Sequence, residues 1–404
     1  MMGAPEPALS LSKGLAFETW ALPKLSLVTL LIGVLALTAC RKQDFPQYPA
    51  NYREYAYITN GDSGTVTVLD VVNVRVDREI SVGQGPAAVT ASPTRSEVYV
   101  VNSGLEGALG SISVIDAEKN TVATTIPLHR KPVSIDLSAD GTLAYVANSG
   151  SNSISVVDLT SRREIAQIGT GEEPVAARIT PDGKTLVVAN QRGNSVSIID
   201  AAARKVRSIF DNCPGAADVA ILPDSSKAFV ACSAGHQVMA IALANAKFSP
   251  EQPDRLESML DVGRGPVQLA LKPDGGEVFV SNSLSNSISE IDTSKNDVGG
   301  AYVIGDDPVR GLVASDNALL YVANFKSQYV TIYSIDEGKR LPLSIHVGDG
   351  PVALAFSSSG LLFFVVDNRS ADVAVVRTAT RSLFTILPTG RSPNAIAVKA
   401  FKVP

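Results

Sequence analysis

Short apolar runs rich in β-branched residues, separated by turn residues, dominate the chain from residue 54 onward. Residues 138–160, SADGTLAYVANSGSNSISVVDLT, show the pattern: a glycine turn leads into a run ending at Asn148, and a second turn leads into a run ending at Asp158. Such runs, bounded by Gly, Pro, Asn, Asp and Ser, are typical of β-strands and tight turns. The pattern therefore predicts an all-β protein.

The same unit recurs eight times along the chain. The first run of each copy occupies residues 54–60, 97–102, 143–148, 185–190, 227–232, 277–282, 319–324 and 361–367. A later strand of each copy is marked by a proline, at Pro86, Pro132, Pro174, Pro214, Pro266, Pro308, Pro351 and Pro393. Consecutive prolines lie about 40–52 residues apart, which is the length expected of a four-stranded propeller blade.

The two ends of the array indicate how the ring closes. We name the strands of a blade A to D: A follows the proline, B ends in Asn, C ends in Asp, and D leads to the next proline. The array begins with a B strand at residue 54, whereas its last strand, residues 392–400, is an A strand. Pairing these two strands would remove both unpaired edges. We therefore expect one β-propeller of eight blades over residues 54–404; a seven-bladed ring, with the diverged residues 361–404 forming something else, is the alternative.

The tetrapeptide Tyr57-Ile58-Thr59-Asn60 and its sister copies resemble the YVTN-type β-propeller repeat family. The resemblance covers residues 54–404 and implies the fold rather than a particular chemistry. A polar residue present in most blades is not a unique catalyst, so the repeated residues are interpreted as structural. We expect each Asp that ends strand C to bind the backbone of the C–D turn. Each Asn that ends strand B should cap its B–C loop and bridge adjacent blades.

An uncharged apolar run, LSLVTLLIGVLALTA, occupies residues 25–39. It is short for a membrane span but suits the core of a signal peptide. Leu37-Thr38-Ala39-Cys40 resembles the lipobox of bacterial lipoproteins, a family in which the cysteine receives a lipid. We expect a signal peptide over residues 1–39 and a lipidated Cys40 followed by a polar tether to residue 53. A plain signal peptide or a single membrane anchor is the alternative.

Two further features bear on location and partners. In the lipoprotein family an Asp after the cysteine indicates retention at the inner membrane, but Arg41 stands here. Attachment to the outer membrane, facing the periplasm, is therefore favoured. The net charge is −5 and no run of Lys or Arg stands out, which argues against nucleic acid as a partner.

Blade 5 departs from the repeat at two cysteines. Cys232 replaces the Asn that ends strand B, and Cys213 directly precedes Pro214 at the start of strand A. Because A and B are antiparallel neighbours, the start of A lies beside the end of B. In an exported protein this juxtaposition predicts a disulfide; two buried free thiols are the alternative.

A ligand site is expected on the face formed by the D–A and B–C loops, because these loops vary whereas the opposite turns are repetitive. Arg310 falls just after Pro308, at the channel end of its A strand. No catalytic residue is assigned. The candidate channel-mouth residues for a ligand or partner are Arg130, His236, Arg264, Arg310, Lys326 and Arg391.

The favoured function is a binding or assembly scaffold whose D–A/B–C face engages a protein or an envelope polymer. Related propellers include lactonases and haem d1 domains, so a lactonase-type hydrolase is the alternative and a redox accessory protein with a haem-like cofactor is the third possibility. The chain has three histidines, and His346 falls on a D strand, which disfavours a three-histidine metal site. CxxCH and G-x-S-x-G motifs are absent from the sequence. We predict no metal or cofactor and lean against catalysis.

Overall fold

The structure is a computed structural model that describes residues 48–244 and 252–403. The predicted signal peptide over residues 1–39 and the lipidation of Cys40 lie outside the described residues. Within the described ranges, no helix is long and apolar enough to cross a membrane.

Eight antiparallel four-stranded sheets form the blades of one propeller, as predicted. Blade 1 contains β1 (Tyr52–Asn60), β2 (Thr65–Asp70) and β3 (Arg75–Ser81), together with the last strand of the chain, β32 (Pro393–Lys402). Blade 2 contains β4 (Pro86–Ala91), β5 (Glu97–Asn102), β6 (Leu109–Asp116) and β7 (Thr121–Arg130). Blade 3 contains β8 (Pro132–Leu137), β9 (Leu143–Asn148), β10 (Ser153–Asp158) and β11 (Arg163–Gly169). Blade 4 contains β12 (Pro174–Ile179), β13 (Thr185–Asn190), β14 (Ser195–Asp200) and β15 (Lys205–Phe210).

The remaining four blades follow the same A-to-D order. Blades 5 and 6 are β16 (Ala216–Ile221), β17 (Lys227–Cys232), β18 (Gln237–Ala242), β19 (Arg255–Asp261); and β20 (Pro266–Leu271), β21 (Glu277–Asn282), β22 (Ser287–Asp292), β23 (Asp297–Val303). Blades 7 and 8 are β24 (Pro308–Val313), β25 (Leu319–Asn324), β26 (Tyr329–Ser334), β27 (Lys339–His346); and β28 (Pro351–Phe356), β29 (Leu362–Asp367), β30 (Asp372–Arg377), β31 (Ser382–Pro388). Short 3-10 turns follow the B strands of blades 3 and 5, at Ser149–Ser151 and Ser233–Gly235.

The ring closes through the pairing of β1 with β32, which confirms the predicted closure. Tyr52 lies opposite Lys402 at one end of this ladder, and Asn60 lies opposite Pro393 at the other. The first strand begins two residues before the expected residue 54, because β32 continues past residue 400 and provides a partner for Tyr52. Closure leaves no unpaired edge between the first and last strands.

Eight apolar cores lie between neighbouring blades of the described structure. The B and C strands are covered by other blades on both faces, so their side chains are buried almost without alternation. Tyr57, Tyr99 and Phe279, for example, are buried within these layers. The outer D strands alternate between buried and exposed positions, as expected of a sheet edge with one solvated side. Packing between blades therefore stabilises the ring.

The repeated aspartates bind the C–D turns, as predicted. Asp158 Oδ1 accepts hydrogen bonds from the amide nitrogens of Thr160 and Ser161 at 2.8 and 2.9 Å. Asp116 and Asp292 make the equivalent pair of bonds in blades 2 and 6. These aspartates satisfy turn N–H groups that have no partner in the ladder.

The repeated asparagines cap their own B–C hairpins. Asn102 Nδ2 donates to Ser111 Oγ at 3.1 Å and to Ser113 Oγ at 3.0 Å, both on strand C of the same blade. Contact with the adjacent blade is made by packing: a Cβ atom on Gly83, in the preceding D–A loop, would lie 2.6 Å from Asn102 Cγ. The loop approaches the asparagine closely because it carries glycine there.

The predicted disulfide joins Cys213 to Cys232. Both cysteines are fully buried in the apolar core between blades 4 and 5. Ala216, the first residue of β16, lies opposite Cys232 in the ladder, so the bond ties the D–A loop to the end of strand B. It replaces the asparagine cap that most other blades use.

Candidate functional site

The A strands of all eight blades surround a central cavity of about 740 Å³. Each A strand has one edge paired with its B strand and the other edge facing the axis. The side chain two positions after the start of each A strand lines the cavity. Around the ring, from blade 1 to blade 8, these residues are Ala395, Ala88, Ser134, Ala176, Asp218, Gln268, Arg310 and Ala353.

In every blade, the pairing between strands A and B shifts register near the start of strand A, next to the residue that lines the cavity. In blade 7, Pro308 lies opposite Asn324 and Arg310 lies opposite Ala323, with an irregularity between the two pairs. Such a bulge inserts one residue in the strand and redirects the side chains beside it. Position, rather than residue type, therefore sets which side chains line the channel.

Polar and small residues occupy different parts of the ring. We call Ser134, Arg178, Asp218, Gln268 and Arg310, which belong to blades 3 to 7, the polar arc. We call Ala353, Ala395 and Ala88, which belong to blades 8, 1 and 2, the alanine arc. The cavity is thus asymmetric, with most of its polar side chains on blades 3 to 7 and, apart from Asn394, small or apolar residues on blades 8, 1 and 2.

Several polar side chains accept hydrogen bonds from backbone N–H groups of the next blade that have no partner in a strand ladder. Asp218 Oδ2 accepts from the Leu269 amide at 3.1 Å, and Gln268 Oε1 accepts from the Gly311 amide at 2.6 Å. Each amide belongs to the A strand of the following blade, whose axial edge has no neighbouring strand. A buried N–H without a partner is costly, so these acceptors have a structural role.

Asp136 of blade 3 also accepts a hydrogen bond from an A-strand amide of the next blade, although it does not line the cavity. Its Oδ2 accepts from the Ile179 amide at 2.9 Å. Burial raises the pKa of Asp136, while the nearby Arg178 guanidinium and the Ile179 N–H oppose that shift. Asp136 therefore faces Arg178 from one side of the polar arc.

Asp218 faces Arg178 from the other side. Arg178 Nη2 lies 3.6 Å from Asp218 Oδ1 across the boundary between blades 4 and 5. With Leu269 bound to Oδ2, both carboxylate oxygens of Asp218 are engaged. The charge of Arg178 is therefore compensated by the protein itself.

Arg310 lies in the channel without such compensation. Within residues 48–244 and 252–403, no group accepts a hydrogen bond or forms an ion pair with its guanidinium. Burial lowers the pKa of Arg310; attraction by Asp218 opposes this shift and repulsion by Arg178 adds to it. An arginine remains protonated at physiological pH, so a positive charge with unused donors faces the cavity.

Two more side chains of the polar arc have polar atoms without a hydrogen-bond partner among the described residues. Gln268 is only 8% exposed, and its Oε1 is engaged by Gly311; in the described structure its Nε2 donates to no protein group. The Ser134 Oγ atom is buried without a hydrogen-bond partner among the described residues. Gln268 lies on the blade next to Arg310 and Ser134 lies across the ring from it, and both provide donors that a ligand could satisfy.

Of the six residues predicted from the sequence, Arg310 alone lines the central cavity. His236 Nδ1 accepts from the Gly265 amide at 3.2 Å, and Lys326 Nζ lies 3.3 Å from Asp307 Oδ2. Arg264 is exposed, and Arg391 Nη2 donates to the Asp62 carbonyl at 3.4 Å. These four lie in loops of the D–A/B–C face.

Arg130 lies beside a separate groove of about 540 Å³ on the same face. The groove is formed by the B–C loop of blade 2 together with Arg130, Lys131 and Gly150. Leu105 of that loop is 68% exposed, and Leu109, the first residue of β6, is 66% exposed. The structure thus separates the rim residues from the channel rather than gathering all six at one site.

Blade 8 contains a pair of acidic residues where most other blades have Asn and Ser or Thr. Asp367 ends β29 and lies opposite Asp372 at the start of β30. Asp367 Oδ2 accepts from the Gly348 amide at 2.9 Å. Burial, together with Asp372, raises the pKa of Asp367 to about 8, and burial also raises the pKa of Asp372. The pair therefore retains a proton at neutral pH.

The histidines do not converge in the structure. His129, His236 and His346 all lie off the central cavity. His129 Nε2 lies 3.1 Å from Glu164 Oε1, and His346 packs edge-on against Tyr329. In the part of the chain that the structure describes, no group of three or more His, Cys, Asp or Glu side chains is arranged to hold a metal ion.

A signal for the channel residues is present in the sequence. The residues two positions after each marker proline differ strongly between blades, whereas the turn and cap residues recur. Comparing that single position across copies isolates Gln268 and Arg310, but it gives Ala216 in blade 5, where strand A begins two residues after Pro214 and Asp218 is the lining residue. Arg178, two positions further along its strand, is missed because the comparison covers a single position of each A strand.

The family model described as "Lactonase, 7-bladed beta-propeller" matches residues 50–223. The match covers fewer than half of the chain's residues and ends in blade 5 of a ring that has eight blades. No curated protein sequence matches the chain.

Solved structures resemble the chain over most of its length. Hydrazine synthase of Kuenenia stuttgartiensis is 22% identical, with a TM-score of 0.56, over 80% of this chain and 92% of that one. Dihydro-heme d1 dehydrogenase NirN, solved in complex with DHE, is 15% identical with a TM-score of 0.69, over 87% and 76%. Apo AztD from Citrobacter koseri is 14% identical with a TM-score of 0.64, over 87% and 99%. At these identities the likenesses establish the propeller fold.

Proposed function

We propose that the protein is a lipid-anchored, ligand-binding propeller of the cell envelope, whose central channel holds a small anionic molecule. The observation that carries this proposal is the Arg310 guanidinium, which lines the channel cavity and has no hydrogen-bond or ion-pair partner among the described residues. A cavity of about 740 Å³ falls within the size range of small-molecule sites. An arginine fork suits carboxylate and phosphate groups, which accept two parallel hydrogen bonds from it.

The neighbours of Arg310 support an anion rather than a cation. The Nε2 group of Gln268 is a donor, and the Arg178 guanidinium adds positive potential on the same arc. Asp218, the acidic residue that lines the cavity, has both oxygens engaged. A cation would therefore meet two guanidinium groups and no free carboxylate among the described lining residues.

Calorimetric titration of the purified protein with small organic acids and with inorganic phosphate tests this proposal. The wild-type protein should bind at least one of these anions, and Arg310→Gln should weaken binding roughly thirtyfold through loss of a charged hydrogen-bond donor. Arg163→Gln is the matched control, because Arg163 is exposed on the outer strand β11. Equal affinity of wild type and Arg310→Gln would refute the channel site.

Substitution of Arg264, on the rim of the channel, tests whether the ligand binds at the channel mouth or in the cavity. If Arg264→Gln weakens binding while Arg310→Gln does not, the ligand binds at the channel mouth and not in the cavity. Melting temperatures of all three variants should match the wild type within a few degrees, since none of the three side chains makes a hydrogen bond or ion pair in the described structure. Binding losses can then be assigned to the site.

A scaffold role for the D–A/B–C face belongs to the same proposal. Leu105 and Leu109 are exposed beside the Arg130 groove, and an apolar patch with a basic border suits a protein partner. A photo-crosslinking residue at position 105 should yield one discrete complex in intact cells, identifiable by mass spectrometry. The same residue at position 256, on the outer strand β19, should yield none; equal labelling from both positions would argue against a docking face.

Anchoring through Cys40 is tested separately. Radiolabelled fatty acid should enter the wild-type protein but not Cys40→Ser, and the labelled protein should fractionate with outer membranes. Incorporation into Cys40→Ser would exclude lipidation at this residue. The result does not depend on whether the channel binds an anion.

A lactonase-type hydrolase is the second candidate, favoured by the family-model match over residues 50–223. In this interpretation Arg310 would stabilise the developing oxyanion and Asp218 would position or activate water. Wild-type protein should then hydrolyse members of a lactone panel, and Asp218→Asn should abolish turnover. Absence of hydrolysis across the panel, with carboxylate binding retained, would leave the binding function alone.

A further inference from the structure

We infer that the channel ligand is a monocarboxylate with a compact apolar body, held with its carboxylate at Arg310 and its body against the alanine arc. This inference rests on the proposed anion-binding function and specifies the class of anion. It depends on the charge of the cavity and on the distribution of apolar surface around it.

The charges facing the cavity correspond to one negative charge on the ligand. Among the described lining residues, three side chains are charged: Arg178, Asp218 and Arg310. Arg178 and Asp218 form an ion pair, so one positive charge remains. A second negative charge on the ligand would have no free cation and would lie near the Asp218 carboxylate.

Two other ionisable residues, Asp136 and Lys399, do not change the number of charged side chains that line the cavity. Asp136 faces Arg178 from blade 3 but does not line the cavity. Lys399 of β32 is buried, and its Nζ donates to the Ser92 carbonyl at 2.6 Å. Because Lys399 also lies off the cavity lining, it does not offer a second cation to the ligand.

The side of the cavity opposite the polar arc is mainly apolar, and its polar side chain, Asn394, is hydrogen-bonded to Thr59 and to the Pro86 carbonyl. Ala88, Ala353 and Ala395 are followed in their strands by Val89, Leu354 and Ile396, and all six residues line the cavity. Alanine at three successive blades leaves space that longer side chains would fill. An apolar ligand body placed there would be removed from water, which favours binding by about fourfold per methylene group.

Two side-chain donors without a protein partner lie side by side on blades 6 and 7, whereas Asn394, the polar lining side chain of blade 1, is bonded to Thr59 and to the Pro86 carbonyl. Gln268 Nε2 and the Arg310 guanidinium are donors on adjacent blades, and both suit a carboxylate. A sugar or a polyhydroxylated acid would instead place hydroxyl groups against the alanine arc, where they would lose their hydration without new partners. The arrangement therefore favours a short aliphatic or cyclic acid.

The test is calorimetric titration of the purified full-length protein with butyrate, hexanoate, cyclohexanecarboxylate, hexanamide, adipate and inorganic phosphate. Affinity should rise about fourfold per methylene from butyrate to hexanoate. Hexanamide, which lacks the charge, should bind roughly thirtyfold more weakly than hexanoate. Adipate and phosphate should bind more weakly than hexanoate.

Two variants separate the carboxylate end from the apolar end. Arg310→Lys retains the charge but not the planar fork, and should weaken all monocarboxylates by a similar factor. Ala395→Val reduces the free volume of the alanine arc, and should weaken cyclohexanecarboxylate more than butyrate; Ala88→Val provides the same test if Ala395→Val does not fold. Uniform loss across the series in both alanine variants would contradict the placement of the apolar body.

The outcomes distinguish this inference from the function on which it rests. Phosphate or adipate binding as tightly as hexanoate, with loss of binding in Arg310→Gln, would overturn the monocarboxylate inference and retain the anion site. Hexanamide binding as tightly as hexanoate would also overturn it. Absence of binding for every anion would overturn both.

Discussion

Arg178 and Asp218 form an ion pair across the boundary between blades 4 and 5, with Nη2 and Oδ1 3.6 Å apart. The Leu269 amide occupies the second carboxylate oxygen. Asp218 makes no hydrogen bond or ion pair with Arg310, so the Arg310 guanidinium has no direct partner among the described lining residues. This relationship sets both the sign and the size of the charge that a ligand should carry.

Replacing Asp218 by Asn should convert the channel to a preference for dianions. The amide oxygen can still accept from Leu269, but Arg178 loses its ion pair with Asp218, so the cavity lining gains one unit of positive charge. Adipate and phosphate should bind roughly tenfold tighter, equivalent to about 1.4 kcal/mol. Calorimetry measures this, with Asp316→Asn on an exposed A–B turn as the control for a general change in charge. Unchanged dianion affinity in Asp218→Asn would contradict the ion-pair account.

The Asp367–Asp372 pair should make the protein less stable as pH rises. Burial raises the pKa of Asp367 in the folded state to about 8, above the unfolded value near 4. The folded state therefore holds a proton that the unfolded state releases between about pH 4 and pH 8. Across this window the free energy of unfolding should fall by up to about 1.4 kcal/mol per pH unit.

Denaturant unfolding at several pH values measures this effect. Asp367→Asn, which installs the residue found in most other blades, removes the titrating group and should flatten the profile between pH 5 and pH 8. It should also raise stability at pH 8, since no buried carboxyl must then ionise or retain its proton. A wild-type profile already flat over this window would exclude the shared-proton description.

The Cys213–Cys232 disulfide closes a loop of 19 residues in sequence separation. In the loop-entropy model a bond of this span contributes roughly 3 kcal/mol. The Cys213→Ala/Cys232→Ala variant should lose about this amount in urea unfolding, and reductant should destabilise the wild type but not the variant. If reductant lowers both unfolding midpoints equally, the loss does not arise from this bond.

Removing residues 393–404 deletes β32 and should open the ring. Strand β1 would lose the ladder from Tyr52 to Asn60, and its exposed edge would be free to pair with other molecules. We expect aggregation or oligomers in size-exclusion chromatography and loss of a single cooperative melting transition. A monomeric, cooperatively folded truncation would show that closure is dispensable.

Much of the fold can be predicted from the sequence, because each blade repeats the same local signals. Pro86 and its sister residues mark strand A, Asn148 and Asp158 mark the ends of strands B and C, and eight copies specify eight blades. The disulfide was predictable because A and B are antiparallel neighbours, so Cys213 and Cys232 must meet at one corner.

The channel was only partly predictable, since its composition depends on how eight strands converge. Arg310 could be placed near the channel from its distance to Pro308. The role of Asp218 could not be seen, because Arg178 and Asp218 are 40 positions apart and meet only when two blades pack side by side. The separation of the rim residues, such as Arg130, from the cavity likewise depends on the width of the ring.

The most direct test of the central claim is a crystal structure of the protein with 6-bromohexanoate, using the anomalous signal of bromine to locate the ligand. We predict a bromine peak against the alanine arc, with the carboxylate within about 3 Å of the Arg310 guanidinium. A peak in the Arg130 groove or beside Arg264, with the central cavity holding no ligand at saturating concentration, would contradict the account.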